Sequence, residues 1–268
     1  LVAKIFTTLG YRGDVLLIGI FLSVEAAADY QVANQVWWAA LTALSALTAA
    51  LLPAFSERAV RASVERDKLF LRASRYVLAA ALCLATVLVV ARGPLIRHWV
   101  GNSYQGASLL IVLFMVQIVA AYHQGVSSIV ALGTATHHPM GRLEAVASVI
   151  NLAMSLVLIR EFGAWGVVLA GIVKTCLVVP FYVSMALATL SIGWRTFVRE
   201  CIFPVWLFFG GLALVGVVLA RLPYPSGIDD TSLAVVQETA LCVVMAALGW
   251  LLVLTAEDKR RLVRAVVG

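Results

Sequence analysis

The residues of this sequence with chemistry to offer are ionisable and polar side chains set inside apolar runs. Arg12 and Asp14 lie two positions apart in YRGDVLLIGIF, residues 11–21, and Lys174 interrupts AGIVKTCLVV, residues 170–179. Asn34 sits in YQVANQVWW, His123 in AYHQGVSS and Asn151 in ASVINLAMS. Arg and Lys recognise phosphate and carboxylate groups, Arg by paired hydrogen bonds and Lys as a point charge. A carboxylate such as Asp14 can take a proton or a small cation, or balance a neighbouring charge. Amides and an imidazole can bind a polar ligand or tie one helix to another.

Motifs for covalent chemistry are absent. The chain has no GxSxG, no HExxH and no GxxxxGK[ST]. Cys83, Cys176, Cys201 and Cys242 occur singly, without the CxxC spacing of zinc or redox sites. His137 and His138 precede Pro139 with no further ligand at useful spacing, so no metal site is expected. These patterns predict neither an enzyme nor an ATPase, and call for no cofactor beyond a coupling ion, H⁺ or Na⁺.

The elements that must position these residues follow from composition. Of 268 residues, 62% are hydrophobic and 13% are charged, and the mean hydropathy is +0.99. An ordinary soluble domain carries roughly twice that charge. The chain therefore reads as an all-α, polytopic transmembrane bundle. A helix needs about 20 apolar residues to cross about 30 Å of hydrocarbon. By that measure there are about eight spans: 3–24, 29–56, 71–91, 104–133, 143–160, 164–190, 202–221 and 233–255.

Alternating spans from a cytoplasmic N-terminus place Lys4, Arg58, Arg61, Arg66, Lys68, Arg72, Arg75, Arg142, Arg195, Arg199, Lys259, Arg260, Arg261 and Arg264 inside. That is 14 of the 20 basic residues; Arg92, Arg97, Arg160 and Arg221 fall outside. The split obeys the positive-inside rule and also accounts for the net charge of +6, so nucleic acid is not expected as a partner. Arg12 and Lys174 remain within the membrane. An ionised group at mid-bilayer costs between about 2.5 and more than 10 kcal/mol, so these side chains should face a bundle interior or a wet cavity. Arg12 and Asp14 point to nearly opposite sides of one helix. Each then needs a partner elsewhere, and Lys174 is a candidate for Asp14. The competing reading is purely structural. An internal Asp–Lys pair can simply join helices, Arg12 can anchor at the interface, and Asn34, Gln117, His123, Gln124 and Asn151 can be interhelical hydrogen-bonding groups.

Residues 14–57, with Asp14, Gly19, Tyr30 and Pro53, resemble the opening of the C-terminal lobe of polysaccharide-biosynthesis flippases. Residues 126–173 carry a similar family pattern: Gly133 in a small-residue loop, Asn151 mid-helix, and Gly163 and Gly166 at the turn into the next helix. The flippases belong to the multidrug (MATE-type), oligosaccharidyl-lipid and polysaccharide exporter superfamily, whose members have about 12 to 14 helices in two lobes. The resemblance implies residues 1–190 as a six-helix C-terminal lobe. Residues 191–268 would add two transmembrane helices and a basic cytoplasmic tail, and a first lobe is expected to precede Leu1 in the natural protein. It further implies alternating access in a bacterial cytoplasmic membrane, a polyprenyl-pyrophosphate-linked glycan as cargo, contact with membrane lipid and other glycan-assembly proteins, and a cavity built from Arg12, Asp14, Asn34, His123, Asn151 and Lys174.

Three other functions compete. A MATE-type drug or metabolite antiporter calls for a cavity dominated by carboxylates, whereas two buried cations against Asp14 favour an anion. A glycan ligase or polymerase calls for a large external loop, and the longest here is LPYPSGIDDTS, residues 222–232. A non-transporting scaffold would tolerate apolar residues in place of its buried charges.

Overall fold

A computed structural model describes residues 13–49, 63–133 and 137–211, and every described element is helical. The expected spans 3–24, 29–56 and 202–221 are covered in part. The span 233–255, the loop 222–232, the basic tail, Arg12 and Pro53 lie outside the described residues.

Helix α1 covers residues 13–21. Ser23 ends the short link and caps the next helix, its Oγ accepting from the Ala26 N–H at 3.1 Å. Helix α2 (Val24–Ala49) follows, then α3 (Ser63–Trp99). With 37 residues, α3 is about 55 Å long, so it projects well beyond the hydrocarbon layer. A 3₁₀ turn (Asn102–Tyr104) leads to α4 (Ala107–Tyr122) and the short α5 (Ser127–Gly133). Helices α6 (His137–Phe162) and α7 (Ala164–Leu190) form a hairpin, and α8, residues 194–211, closes the described chain with a π-helical turn at Val198–Ile202. Among the described residues three stretches are long and apolar enough to cross a membrane: Glu65–Trp99, Met140–Phe162 and Ala164–Leu190. The protein is an all-helical membrane bundle.

Helix α4 is the hub. Its buried residues Leu110, Ile111, Phe114, Met115 and Ile118 recur at helical spacing, and it packs against α2, α3 and α7. Asp29 of α2 accepts a hydrogen bond from the Ala107 N–H, so a carboxylate from a neighbouring helix caps α4. Gly106 leaves room for it, since a Cβ there would overlap the Asp29 carboxylate. Helix α8 joins the same core. Phe197 stacks on Phe70 with ring centroids 5.8 Å apart, and the Cys201 thiol donates to the Leu71 carbonyl at 3.0 Å.

The expected span 104–133 is not one helix. The chain turns at residues 123–126, between α4 and α5. The His123, Gln124 and Gly125 N–H groups donate back three residues to the Ala120, Ala121 and Tyr122 carbonyls at 3.4, 3.2 and 3.2 Å. The Ser128 hydroxyl donates to the Gly125 carbonyl at 3.0 Å. These local bonds re-satisfy backbone groups that a broken helix would otherwise leave unpaired in an apolar medium.

The outward faces are apolar: Val146, Val149, Val157, Leu177 and Phe181 are all exposed. In lipid such residues gain little by packing on one another, so tight helix contact must come from small residues and polar bonds. At the α6–α7 turn, Gly163 has φ 59° and ψ −143°, a backbone region that favours glycine. Three residues on, a Cβ at Gly166 would overlap the Leu158 backbone. Gly166→Ala is expected to lower stability in detergent by about 1–3 kcal/mol. Gly19→Ala, whose Cβ would meet only the Ala27 Cβ at 3.9 Å, should be neutral or stabilising in the same thermal-unfolding comparison.

Candidate functional site

The sequence of α2 explains where its polar residues go. Tyr30, Asn34 and Trp37 recur at helical spacing and lie on one buried face. This polar stripe borders a cavity of about 180 Å³ between α1, α2, α4, α6 and α7, room for several waters.

Four of the six expected residues meet there: Asp14 from α1, Asn34 from α2, Asn151 from α6 and Lys174 from α7. Phe114 and Trp37, with ring centroids 5.8 Å apart, form an aromatic wall. Gln117 reaches the cavity over Gly171, where a Cβ would crowd the Gln117 amide. Gln124 projects from the break after α4, so the interruption of that helix contributes to the polar lining. Arg12 lies outside the described residues.

Two expectations are corrected. Asp14 does not take Lys174 as its ion-pair partner. The Tyr30 hydroxyl donates to Asp14 Oδ2 at 3.1 Å, while Lys174 Nζ stands 3.1 Å from Glu144 Oε2. Lys174 also donates to Ser148 Oγ at 3.5 Å. Tyr182, as far from Gly163 along α7 as Glu144 is along α6, donates to Glu144 Oε1 at 3.4 Å. The pairing follows from the antiparallel hairpin, which brings Tyr182 level with Glu144 while the long Lys174 side chain reaches along it.

His123 is not part of this cavity. It borders an apolar groove between α3, α4, α7 and α8. Its Nδ1 lies 2.8 Å from the Val119 carbonyl, and the Trp206 indole N–H donates to its Nε2 at 3.1 Å. Both ring nitrogens are thereby engaged: Nδ1 carries the proton and Nε2 accepts, so the imidazole is neutral. The rings also stack at 5.9 Å. His123 links the α4–α5 break to α8.

Glu144 was missed by sequence reasoning. It changes the charge balance, because the described lining residues hold two carboxylates, Asp14 and Glu144, against one ammonium, Lys174. Three acceptor oxygens of lining residues, Asp14 Oδ1, Gln124 Oε1 and Asn151 Oδ1, are buried without a hydrogen-bond partner. Such a site is rich in acceptors and suits donors or a cation. Among the described residues no group of three or more His, Cys, Asp or Glu side chains is arranged to hold a metal ion.

Replacing Lys174 by Gln leaves the Glu144 carboxylate without its cation. Because the Lys174 and Glu144 side chains are 19% and 31% exposed, the expected loss is only about 1–2 kcal/mol. The double variant Glu144→Gln with Lys174→Gln should recover most of it in the same denaturation experiment.

No curated protein matches the chain significantly. Residues 1–109, which include Asp14, Tyr30 and Asn34, match the family model described as polysaccharide biosynthesis protein, and this part of the chain carries that family's pattern.

Proposed function

We propose that the chain forms the cavity-bearing part of a membrane transporter that moves a lipid-linked saccharide across the bilayer by alternating access. The observation that carries this reading is the meeting of Asp14, Asn34, Asn151 and Lys174 around one polar cavity inside an apolar bundle. Buried ionisable groups facing a shared interior mark solute pathways in membrane proteins. The family pattern over residues 1–109 supports a saccharide as the cargo. Within this proposal residues 1–190 act as one transporter lobe and residues 191–268 as an appended helical segment. The N-terminus faces the cytoplasm, as the distribution of basic residues favours.

Roles follow from chemistry. Lys174 is the cation available to a diphosphate head group. Asp14, held by Tyr30 and with one oxygen free of hydrogen bonds, is the acceptor for a coupling proton or Na⁺. Asn34 and Asn151 supply amides to sugar hydroxyls.

A second reading is favoured by one observation. Glu144 joins Asp14 on the lining, and paired carboxylates suit a cationic cargo, as for a drug or metabolite antiporter. The two readings separate in proteoliposomes containing the full-length natural protein. A fluorescent polyprenyl-diphosphate sugar is expected to cross, and Lys174→Gln is expected to slow it at least about tenfold. Translocation of organic cations with no movement of the diphosphate sugar would support the antiporter and end the saccharide proposal.

A further inference from the structure

We infer that Glu144 is an internal stand-in for the anionic group of the cargo: it holds Lys174 until an anion enters the cavity, and then yields it. The inference rests on the proposal that an anionic head group reaches this cavity.

Three observations lead there. First, Lys174 is the only ammonium among the described lining residues, and it is engaged, 3.1 Å from Glu144 Oε2. An incoming anion cannot gain its full interaction with Lys174 while that pair stands. Second, the pair is poised for exchange. Both side chains are partly exposed and line the cavity, so water offsets much of the attraction. Lys carries its charge on a flexible four-carbon stem and binds Glu144 through one point, where an Arg would hold a carboxylate by two bonds. Third, each partner has somewhere to go. Tyr182 donates to Glu144 Oε1 at 3.4 Å, and Ser148 receives the ammonium at 3.5 Å.

Lys174 and Tyr182 face Glu144 from α7, and Asp14 and Tyr30 line the same cavity from α1 and α2. Once Lys174 turns to an anion, Glu144 is left without its cation in a small cavity shared with Asp14 and with the negative charge of the cargo. Glu144 therefore opposes anion binding, and removing its carboxylate must raise affinity.

The test uses the full chain in phosphatidylcholine nanodiscs at neutral pH, with farnesyl diphosphate as the probe. Glu144→Gln should bind about tenfold tighter than wild type, and Glu144→Ala should also bind tighter, which keeps the inference testable if one variant fails to fold. Glu161→Gln removes an exposed carboxylate of the same helix that does not line the cavity. It should change affinity by no more than about twofold. Lys174→Gln should abolish binding. Equal affinity for wild type and the folded Glu144 variants would overturn the role of Glu144 while leaving the anionic cargo in place. Failure of the folded wild type and of Glu144→Gln alike to bind would overturn the anionic cargo itself.

Discussion

Charge inside a bilayer governs this molecule. Water solvates an ammonium or carboxylate at little cost, and hydrocarbon cannot. Lys174 and Asp14 can be kept only if other helices present partners and a polar space to them. The hairpin of α6 and α7 brings Glu144 and Ser148 to Lys174, and α2 brings Tyr30 to Asp14. The same requirement accounts for the polar stripe of α2 and for Gln124 at the break after α4.

The requirement also shapes the packing. Apolar contact between helices gives little net stabilisation in lipid, so close approach and internal polar bonds must hold the bundle. Gly166 lets the start of α7 meet the α6 backbone, and Gly171 leaves space for the Gln117 amide. The break at residues 123–126 is held by the turn bonds of the His123, Gln124 and Gly125 N–H groups and by His123, which is tied to Trp206 of α8.

Much of this was legible in the sequence. Apolar run lengths marked the hairpin 143–190 well, because Gly163 punctuates it, and the placement of Asp14, Asn34, Asn151 and Lys174 on an interior follows from desolvation cost alone. Two features were not legible. The run 104–133 is apolar enough to look continuous, and only the cluster His-Gln-Gly-Val-Ser-Ser hints at the break. Glu144 sits near Arg142 at the edge of an apolar run, where a charge looks like ordinary interfacial solvation. Its partnership with Lys174 depends on how far a long side chain reaches along the hairpin. A cue was present: Glu144 and Tyr182 are equally distant from Gly163. With Glu144, the carboxylates lining the cavity number two, Asp14 and Glu144, where sequence reasoning had counted Asp14 alone.

Polar groups from α1, α2, α6 and α7 share one wet interior, while the other faces of α6 meet lipid. Single cysteines report this directly in a background lacking Cys83, Cys176, Cys201 and Cys242. A small, charged, water-soluble thiol reagent applied to membranes should modify Asn151→Cys readily and Val157→Cys, on the exposed apolar face of α6, hardly at all. Equal protection of both positions, or preferential modification at Val157, would contradict the account.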